Sequence, residues 1–439
     1  MKYLIATLGC KVNQFETQAM EERLLKDGHV PAVPGEQADA VIVNTCAVTA
    51  ESGRKSRQTI RRLQEENPGA VVAVSGCYAQ LSPEENAEIG AKVIFGSGDR
   101  MAFVEAVERA VASGESVKQI DRPFSRKQLE LLPAGAVSGR TRAMLKIQDG
   151  CRNFCTYCII PYVRGSLRSM PIEEAVSEMR RLRTEGFREL VLTGIEIASY
   201  GVDLEGKPSL ADLIEAVAEE AGSMRLRLGS LEPTIITEEF CRRLAETGKL
   251  CRHFHLSLQS GCDRTLKAMN RKYDTAFFFH TTELLRKYFP GCALTGDLIA
   301  GFPGETEEDH AETLDFLHRC AFSELHVFPY SRRPGTPADR FPDQVTNAVK
   351  SRRAHEAKEV SLETGKAFRE ASVGTILPVL FESAEGEGSL GHSDTYLYVQ
   401  VPEEGLRGQL RQVRILSAGP DRLSGELADD TLRAACLEE

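Results

Sequence analysis

The chain has 439 residues, of which 42% are hydrophobic and 27% charged, and its formal net charge is −10. This balance is typical of a folded globular protein with about three domains. No apolar run reaches the ~18 residues that cross a bilayer, and the first residues lack the basic leader of a secretory signal. The sequence therefore predicts a cytoplasmic protein without membrane contact, on which any nucleic acid must bind to local basic surfaces.

Residues 1–115 alternate short apolar runs with helical patterns. Strands are predicted at Tyr3–Leu8, Ala40–Thr45 and Ala70–Ser75, and helices at Gln14–Lys26 and Ala50–Glu66. Such alternation indicates a parallel sheet covered by helices. Residues 116–140, which contain Pro, Gly, Lys and Arg without clear periodicity, follow as a predicted linker.

Residues 141–368 resume the alternation, with six predicted strands: Ala143–Gln148, Glu189–Thr193, Arg225–Ser230, His253–Leu258, Ala293–Ile299 and Glu324–Phe328. This number suggests a partial βα barrel, whose active-site residues gather at the carboxyl ends of the strands. Residues 369–434 are β-like, with strands predicted at Val373–Glu382, Thr395–Val401 and Gln409–Leu416. The predicted fold class is thus α/β, with a parallel N-terminal domain, a central partial barrel and a small C-terminal β-barrel.

Twelve cysteines in a chain predicted to be cytoplasmic favour metal binding or catalysis over disulfides. Cys151, Cys155 and Cys158 form a C-x3-C-x2-C run just after the strand that ends near Gln148. Three thiolates on one loop can hold three irons of a [4Fe–4S] cluster and leave the fourth iron open to a ligand. The alternative is structural zinc, which prefers four ligands, and no fourth Cys or His lies at conventional spacing.

Cys10, Cys46 and Cys77 each follow a predicted strand of the N-terminal sheet. Because the carboxyl ends of parallel strands share one edge, these thiols can converge on a second cluster. The alternative is that each is a small buried residue at a strand end. The other six cysteines lack ligand spacing and are predicted to pack in the core: Cys241, Cys251, Cys262, Cys292, Cys320 and Cys436.

The loop from Cys151 to Cys158, with its aromatic Tyr157, resembles the cluster loop of the radical S-adenosylmethionine (SAM) superfamily. The next segment, Ile159–Gly165 (IIPYVRG), narrows the resemblance to the methylthiotransferase family. Three segments resemble the auxiliary-cluster segments of that family: Thr7–Gln14, Asn44–Thr49 and Ser75–Gln80. The resemblance implies that Cys151, Cys155 and Cys158 hold the catalytic radical SAM cluster. It also implies that Cys10, Cys46 and Cys77 hold a second [4Fe–4S] cluster, by which sulfur reaches the substrate.

Segments of the predicted barrel extend the resemblance to SAM binding. Leu192–Glu196 resembles the segment that meets the SAM amino group, although a turn with a solvated glutamate is the alternative. Leu256–Gly261 resembles a segment that holds the ribose and carboxylate, and Asp297–Thr306 resembles the strand and turn near the adenine. The SAM contacts that the resemblance implies are Tyr157, Gly194, Glu196, Ser257, Gln259 and Asp297.

Within the family, Leu8–Gln14, Thr193–Ile195 and His326–Ser331 most resemble the tRNA N6-threonylcarbamoyladenosine methylthiotransferases. The resemblance implies two SAM molecules per turnover, one that methylates a sulfur on the auxiliary cluster and one that is reductively cleaved to a radical. The implied product is 2-methylthio-N6-threonylcarbamoyladenosine at position 37, next to the anticodon. The implied partners are the tRNA anticodon stem-loop and a reductant protein, and the enzyme is expected to be a monomer.

Two basic stripes are candidates for RNA contact. Arg54, Arg57 and Arg61 recur at helical spacing, and Arg264–Tyr273 carries four basic residues and no acidic one. Each stripe is more often a solvated helix face. The C-terminal barrel resembles an RNA-binding TRAM domain, but residues 371–439 carry 12 acidic and 5 basic side chains.

Three other functions remain open at this point. One is methylthiolation of N6-isopentenyladenosine in tRNA. Another is modification of an aspartate of a ribosomal protein, a basic partner that the acidic C-terminal barrel would suit. The third, from another class, is a non-enzymatic iron–sulfur protein that binds RNA and does not need an open iron.

Overall fold

The computed structural model describes residues 1–134, 141–384 and 388–428. Strands and helices alternate as far as residue 371, and a run of strands follows. The strands are β1 (Lys2–Thr7), β2 (Val30–Pro31), β3 (Ala40–Thr45), β4 (Val71–Gly76), β5 (Val93–Phe95), β6 (Val117–Gln119), β7 (Arg142–Asp149), β8 (Arg168–Ser169), β9 (Glu189–Gly194), β10 (Arg225–Leu228), β11 (Ser230–Leu231), β12 (His253–Gln259), β13 (Ala293–Ala300), β14 (Glu324–Pro329), β15 (Ile376–Ala384), β16 (Ser389–Ser393), β17 (Tyr398–Val401), β18 (Leu410–Ala418) and β19 (Leu423–Leu427). The helices are α1 (Lys11–Lys26), α2 (Ala50–Glu66), α3 (Cys77–Leu81), α4 (Pro83–Glu88), α5 (Arg100–Ser113), α6 (Ile160–Arg164), α7 (Ile172–Thr184), α8 (Leu210–Glu219), α9 (Glu238–Glu246), α10 (Asp263–Ala268), α11 (Thr275–Tyr288), α12 (Glu307–Cys320) and α13 (Asn347–Ala371).

The N-terminal domain is a six-stranded parallel sheet in the order β2-β1-β3-β4-β5-β6. The central strands β3 and β4 are buried along their whole length, as expected when helices cover both faces. The edge strand β6 lies in the stretch that the sequence suggested was a linker, and it pairs with β5. Leu129 and Leu132 then pack in the core of the central domain. Residues 117–134 therefore fold against both domains, because their apolar side chains gain free energy from burial.

The central domain contains two four-stranded sheets, in the orders β10-β9-β7-β8 and β11-β12-β13-β14. Gly229 separates β10 from β11, so the two sheets continue into one another as a partial βα barrel. The six predicted strands are confirmed, the third being divided at Gly229. Along β12, Phe254 and Leu256 pack in the core under the helices, whereas His253 and His255 lie on the opposite face.

The C-terminal domain is a closed barrel in the order β15-β16-β17-β19-β18. The sequence predicted β15, β17 and β18, but β16 and β19 were missed because they are short and contain glycine and serine. Two arginines of β10 hold this barrel to the central domain. Arg225 donates to the carbonyl oxygens of Pro378 and His392, and Arg227 to those of Ser393 and Asp394. Within the described ranges, no helix is both long and apolar enough to cross a membrane.

Candidate active site

The three N-terminal cysteines lie at the carboxyl edge of the parallel sheet. Cys10 precedes α1, Cys46 follows β3, and Cys77 is the first residue of α3 after β4. Gly9 has a φ of +104°, and a Cβ at this position would lie 2.8 Å from Cys46 Sγ. Only glycine therefore allows the first cysteine loop to approach the second so closely. The fold thus brings the three predicted ligands to one edge of the sheet.

A buried ion network joins this edge to the central barrel. Glu16 on α1 is 1% exposed and accepts hydrogen bonds from Arg100, Lys146 and Arg164. Burial alone would raise the pKa of Glu16, but these three cations hold it well below its usual value. Arg164 also donates from Nε to Cys77 Sγ at 3.3 Å. One guanidinium therefore connects the network to a predicted cluster ligand.

The C-x3-C-x2-C run occupies the loop between β7 and α6. The loop begins at Gly150, whose φ is +78° and whose Cβ, if present, would lie 1.9 Å from the Ser166 carbonyl oxygen. Burial raises the pKa of both Cys151 and Cys158 to about 12. Their thiolate forms therefore need a nearby cation. A metal ion is such a cation, and a thiol that coordinates it is deprotonated outright.

The sequence interpretation missed the roles of three buried arginines beside the cysteines: Arg164, Arg271 and Arg333. Arg271 belongs to one of the two candidate basic stripes, but its side chain is 5% exposed and Nη1 donates to Cys155 Sγ at 3.2 Å. It also donates to the Glu232 carboxylate and to the Ser257 carbonyl oxygen. Arg164 lies within the IIPYVRG segment that carries the family resemblance, which was the available signal for its importance.

Arg333 gives the clearest test of whether the N-terminal cysteines fit a cluster. Its side chain is 6% exposed, and Nε and Nη2 are buried without a hydrogen-bond partner in the described parts of the chain. Burial lowers its pKa, and Cys46, Tyr78 and Cys77 are the groups that oppose this effect. Buried donors normally have acceptors. Inorganic sulfides of a cluster held by these cysteines are acceptors of the right charge, so the residues present fit the group.

A cavity of about 210 Å³ lies between the two sets of cysteines. Val48 and Thr49, from the loop after Cys46, form one side, and Cys158 lies on another. The other lining residues are Tyr157, Ile159, Ile160, Gln259, Asp297, Ile299, Phe328, Pro329, Tyr330 and Ser331. The two loops also pack directly, since Ala47 and Cys77 share one apolar cluster with Ile159 and Val163. Both cysteine loops therefore border one cavity.

Three of the predicted SAM contacts, Tyr157, Gln259 and Asp297, line this cavity, whereas Gly194, Glu196 and Ser257 do not. Glu196 is instead tied to the cysteine loop, because Asn153 Nδ2 donates to its carboxylate at 2.9 Å. Burial, with a contribution from Glu232, raises the pKa of Glu196 to about 7. A cation bound next to this carboxyl group would therefore strongly stabilise its charged form.

The remaining candidates are less closely connected to the cavity. On α2, Arg54 pairs with Glu51, and Arg57 donates to the Tyr78 hydroxyl. Five of the predicted packing cysteines are buried as expected: Cys241, Cys251, Cys262, Cys292 and Cys320. Cys436 lies outside the described residues.

In residues 1–134, 141–384 and 388–428, no three His, Cys, Asp or Glu side chains stand close enough together to share one metal ion. A [4Fe–4S] cluster instead binds each cysteine through a different iron.

Comparison with known proteins agrees with this geometry. Residues 145–317 match the family model described as the radical SAM superfamily, and residues 2–96 match the uncharacterized protein family UPF0004. Among solved structures, that of TsrM from Kitasatospora setae, a radical S-adenosylmethionine methyltransferase, has a similar fold. Its TM-score is 0.56 at 14% identity, over 88% of this chain and 78% of that chain.

Two similar curated proteins act on tRNA according to their names. Threonylcarbamoyladenosine tRNA methylthiotransferase MtaB of Bacillus subtilis (strain 168) is 39% identical over 94% of this chain and 93% of that protein. The tRNA-2-methylthio-N(6)-dimethylallyladenosine synthase of Sphingopyxis alaskensis is 36% identical over 96% of each chain. With both cysteine loops in place around one cavity, the chain belongs to the radical SAM tRNA methylthiotransferase family.

Proposed function

We propose that this enzyme inserts a methylthio group at C2 of N6-threonylcarbamoyladenosine at position 37 of tRNA. The observation that carries the proposal is the cavity bordered by Thr49 on the N-terminal side and by Cys158 on the barrel side. Methylthio transfer requires a source of sulfur and a source of radicals within reach of one base. A single cavity beside both cysteine loops meets that requirement.

The proposal assigns one [4Fe–4S] cluster to Cys10, Cys46 and Cys77 and another to Cys151, Cys155 and Cys158. When bound, the clusters and two molecules of SAM supply the sulfur, the methyl group and the radical chemistry. Arg164 and Arg333 provide positive charge beside the first set, and Arg271 beside the second. The Glu196 carboxylate accepts a hydrogen bond from the SAM ammonium. The other SAM contacts in the proposal are Tyr157, Gly194, Ser257, Gln259 and Asp297.

The cavity also suits a base taken out of a single-stranded loop. Phe328 on its wall is 45% exposed and offers an aromatic surface on which a base can stack. Ile159 and Ile299 add apolar surface that excludes water. The Ala50 N–H donates to Ser331 Oγ at 3.0 Å, which holds the N-terminal domain to the cavity rim.

The test is anaerobic reconstitution followed by incubation with SAM, a reductant and tRNA that bears N6-threonylcarbamoyladenosine. About eight irons per chain are expected from two four-iron clusters. Nucleoside mass spectrometry should detect the 2-methylthio product with the wild-type protein. Cys151→Ala should lose the product, whereas Cys292→Ala, which removes a buried thiol from the core, should retain it.

The outcomes distinguish the alternative functions. A product formed with isopentenyladenosine but not with threonylcarbamoyladenosine would assign the other tRNA substrate. SAM cleavage without a modified nucleoside would move the search to a ribosomal protein. Eight irons without SAM cleavage would favour a non-enzymatic RNA-binding protein. The proposal further includes a TRAM-type role for the C-terminal barrel, a protein reductant, a monomeric state and a cytoplasmic location with the tRNA.

A further inference from the structure

A second cavity, of about 300 Å³, lies where the three domains meet. Its lining residues are Lys11, Gln14, Thr141, Arg142, Met144, Val191, Arg227, Glu382 and Tyr396. None of them lines the cavity beside Cys158, so the two spaces are distinct. Lys11 nevertheless follows Cys10 directly, which places the second cavity next to the auxiliary-cluster edge. We name it the junction pocket.

The junction pocket is rich in positive charge, and one of its cations is uncommitted. Arg142 pairs with Glu382 at 2.7 Å, and Arg227 pairs with Glu189 at 2.8 Å. Lys11 forms neither a hydrogen bond nor an ion pair with any residue in the described ranges, and its ammonium lies 6.0 Å from the centre of the Tyr396 ring. A partly buried cation gains free energy from an anion. The pocket is therefore suited to an anionic group.

Tyr396 forms the floor of this pocket in a strained conformation. Its φ is +67°, which is an outlier for a bulky residue. The ring stacks with His253, whose centre is 4.9 Å away, and with His392 at 4.7 Å, and the Arg227 guanidinium lies 4.8 Å from its centre. Such strain persists where the surroundings over-determine it, and it concentrates at ligand sites. The aromatic floor is thus held rigidly by residues of two domains.

A row of side chains inside the barrel connects the junction pocket to the first cavity. His253 contacts both Tyr396 and Thr295 Oγ1, and His255 contacts the same hydroxyl at 3.0 Å. His255 Nε2 lies 3.2 Å from the carboxylate of Asp297, which lines the first cavity. The two spaces therefore lie at the two ends of one polar row along the barrel interior.

The proposed substrate carries an anionic group apart from its reacting carbon. In adenine, N1 alone separates C2 from C6, but the threonylcarbamoyl group on N6 carries its carboxylate several bonds beyond the ring. The threonylcarbamoyl group ends in a free carboxylate, whereas an isopentenyl group is an uncharged hydrocarbon. Buried cations bind a carboxylate strongly and are penalised by contact with hydrocarbon.

We propose that the junction pocket, through Lys11, Arg142 and Tyr396, binds the free carboxylate of the threonylcarbamoyl substituent and thereby selects this adenosine. The inference rests on the proposed function and names its specificity site. A phosphate of the RNA backbone is the other anion that Lys11 could attract, and it would be bound whatever the modification of the base.

The test measures RNA affinity of the full chain with both clusters reconstituted, by anaerobic fluorescence anisotropy. Two anticodon stem-loops are compared, one with N6-threonylcarbamoyladenosine and one with unmodified adenosine at the same position. Lys11→Met should weaken binding of the modified stem-loop roughly tenfold to a hundredfold, and should leave the unmodified one within about twofold. The matched control is Lys26→Met at the other end of α1, where Lys26 is exposed and pairs with Glu22.

A second arm uses the wild-type protein, so it does not depend on the folding or iron content of a variant. A stem-loop whose threonylcarbamoyl carboxylate is converted to a methylamide should bind as weakly as unmodified RNA. Equal loss of affinity for both stem-loops in Lys11→Met would assign Lys11 to a phosphate and overturn the inference, as would full affinity for the methylamide. If the wild-type protein methylthiolates only isopentenyladenosine, the proposed function itself fails, and the product assay detects this separately.

Discussion

The charge of Glu16 is predicted to be the main electrostatic support of the junction between the N-terminal domain and the barrel. Glu16→Gln keeps the size of the side chain and removes its negative charge. We expect this change to lower the free energy of unfolding by about 3–5 kcal/mol, the usual effect of leaving buried charges without a partner. Glu16 is 1% exposed and lies 2.7 Å from Arg100 Nη2 and 3.1 Å from Lys146 Nζ.

The magnitude follows from the composition of the network. Two carboxylates, Glu16 and Asp149, face four buried cations: Arg100, Lys146, Arg164 and Arg168. The variant leaves Asp149 as the remaining carboxylate of this group. A loss of 3–5 kcal/mol corresponds to roughly two to four orders of magnitude in the unfolding equilibrium constant.

The assay is urea unfolding of the reconstituted protein, followed by circular dichroism and by the visible absorbance of the clusters. The matched control is Glu36→Gln, which removes an exposed partner of Lys2 at 3.0 Å and should cost at most about 1 kcal/mol. If the two variants lower the unfolding free energy equally, the buried network does not stabilise the junction, and the reasoning is refuted.

The same network predicts a dependence on acid. Burial alone would raise the pKa of Asp149, but Arg164 and Lys146 hold it at about 2, and the pKa of Glu16 is also depressed. Both values lie below those of the unfolded chain, about 3.9 for Asp and 4.3 for Glu. Their contribution to stability is therefore present above about pH 4 and is lost as the pH falls towards 2. Glu16→Gln should flatten the decline of stability in that window.

Three further predictions concern the cluster and SAM sites. Arg333→Met should lower the midpoint potential of the auxiliary cluster by roughly 60–130 mV, because it removes a cation that stabilises the reduced form. An unchanged potential, measured by EPR titration in Cys151→Ala protein, would contradict this. Gly150→Ala should leave about four irons instead of eight, because the new Cβ would lie 1.9 Å from the Ser166 carbonyl oxygen; wild-type iron content would show that the loop accepts the side chain. Because burial raises the pKa of Glu196 to about 7 and a bound ammonium needs its charged form, SAM affinity should fall up to tenfold per pH unit below 7. Calorimetry should show no such slope in Glu196→Gln, and a persistent slope would assign the titration to another group.

The long strands of the central domain could be predicted almost to the residue, and for most of them the physical reason is burial. A parallel strand covered on both faces is a continuous apolar run bounded by helices, and β9 (Glu189–Gly194) is of this kind. The C-terminal barrel was harder, because Ser389–Ser393 contains glycine, serine and histidine, and its burial depends on pairing with β15 and β17. Such pairing is not visible in a local pattern.

The convergence of the cysteines could be predicted, but the arginines beside them could not. Arg271 stands among basic residues in the sequence, and nothing local distinguishes it from a solvated side chain. Its partners, the Cys155 thiol and the Glu232 carboxylate, come from segments 116 and 39 residues away. Arg333, which follows β14, likewise lies near Cys46 and Cys77, although it is far from them in the sequence. A buried cation is defined by remote partners, so its role emerges with the tertiary structure.

These buried cations also explain how an acidic protein can bind anions. The net charge is −10, so the long-range field does not favour RNA. Positive charge is instead concentrated inside, with Arg164 and Arg333 beside the N-terminal cysteines, Arg271 beside Cys155, and Lys11 in the junction pocket. Burying a cation costs several kcal/mol unless an anion meets it, and in a site shielded from water that attraction is screened little by salt. Selection among tRNA bases should therefore depend on the anion carried by the base more than on the salt-sensitive attraction of the RNA backbone.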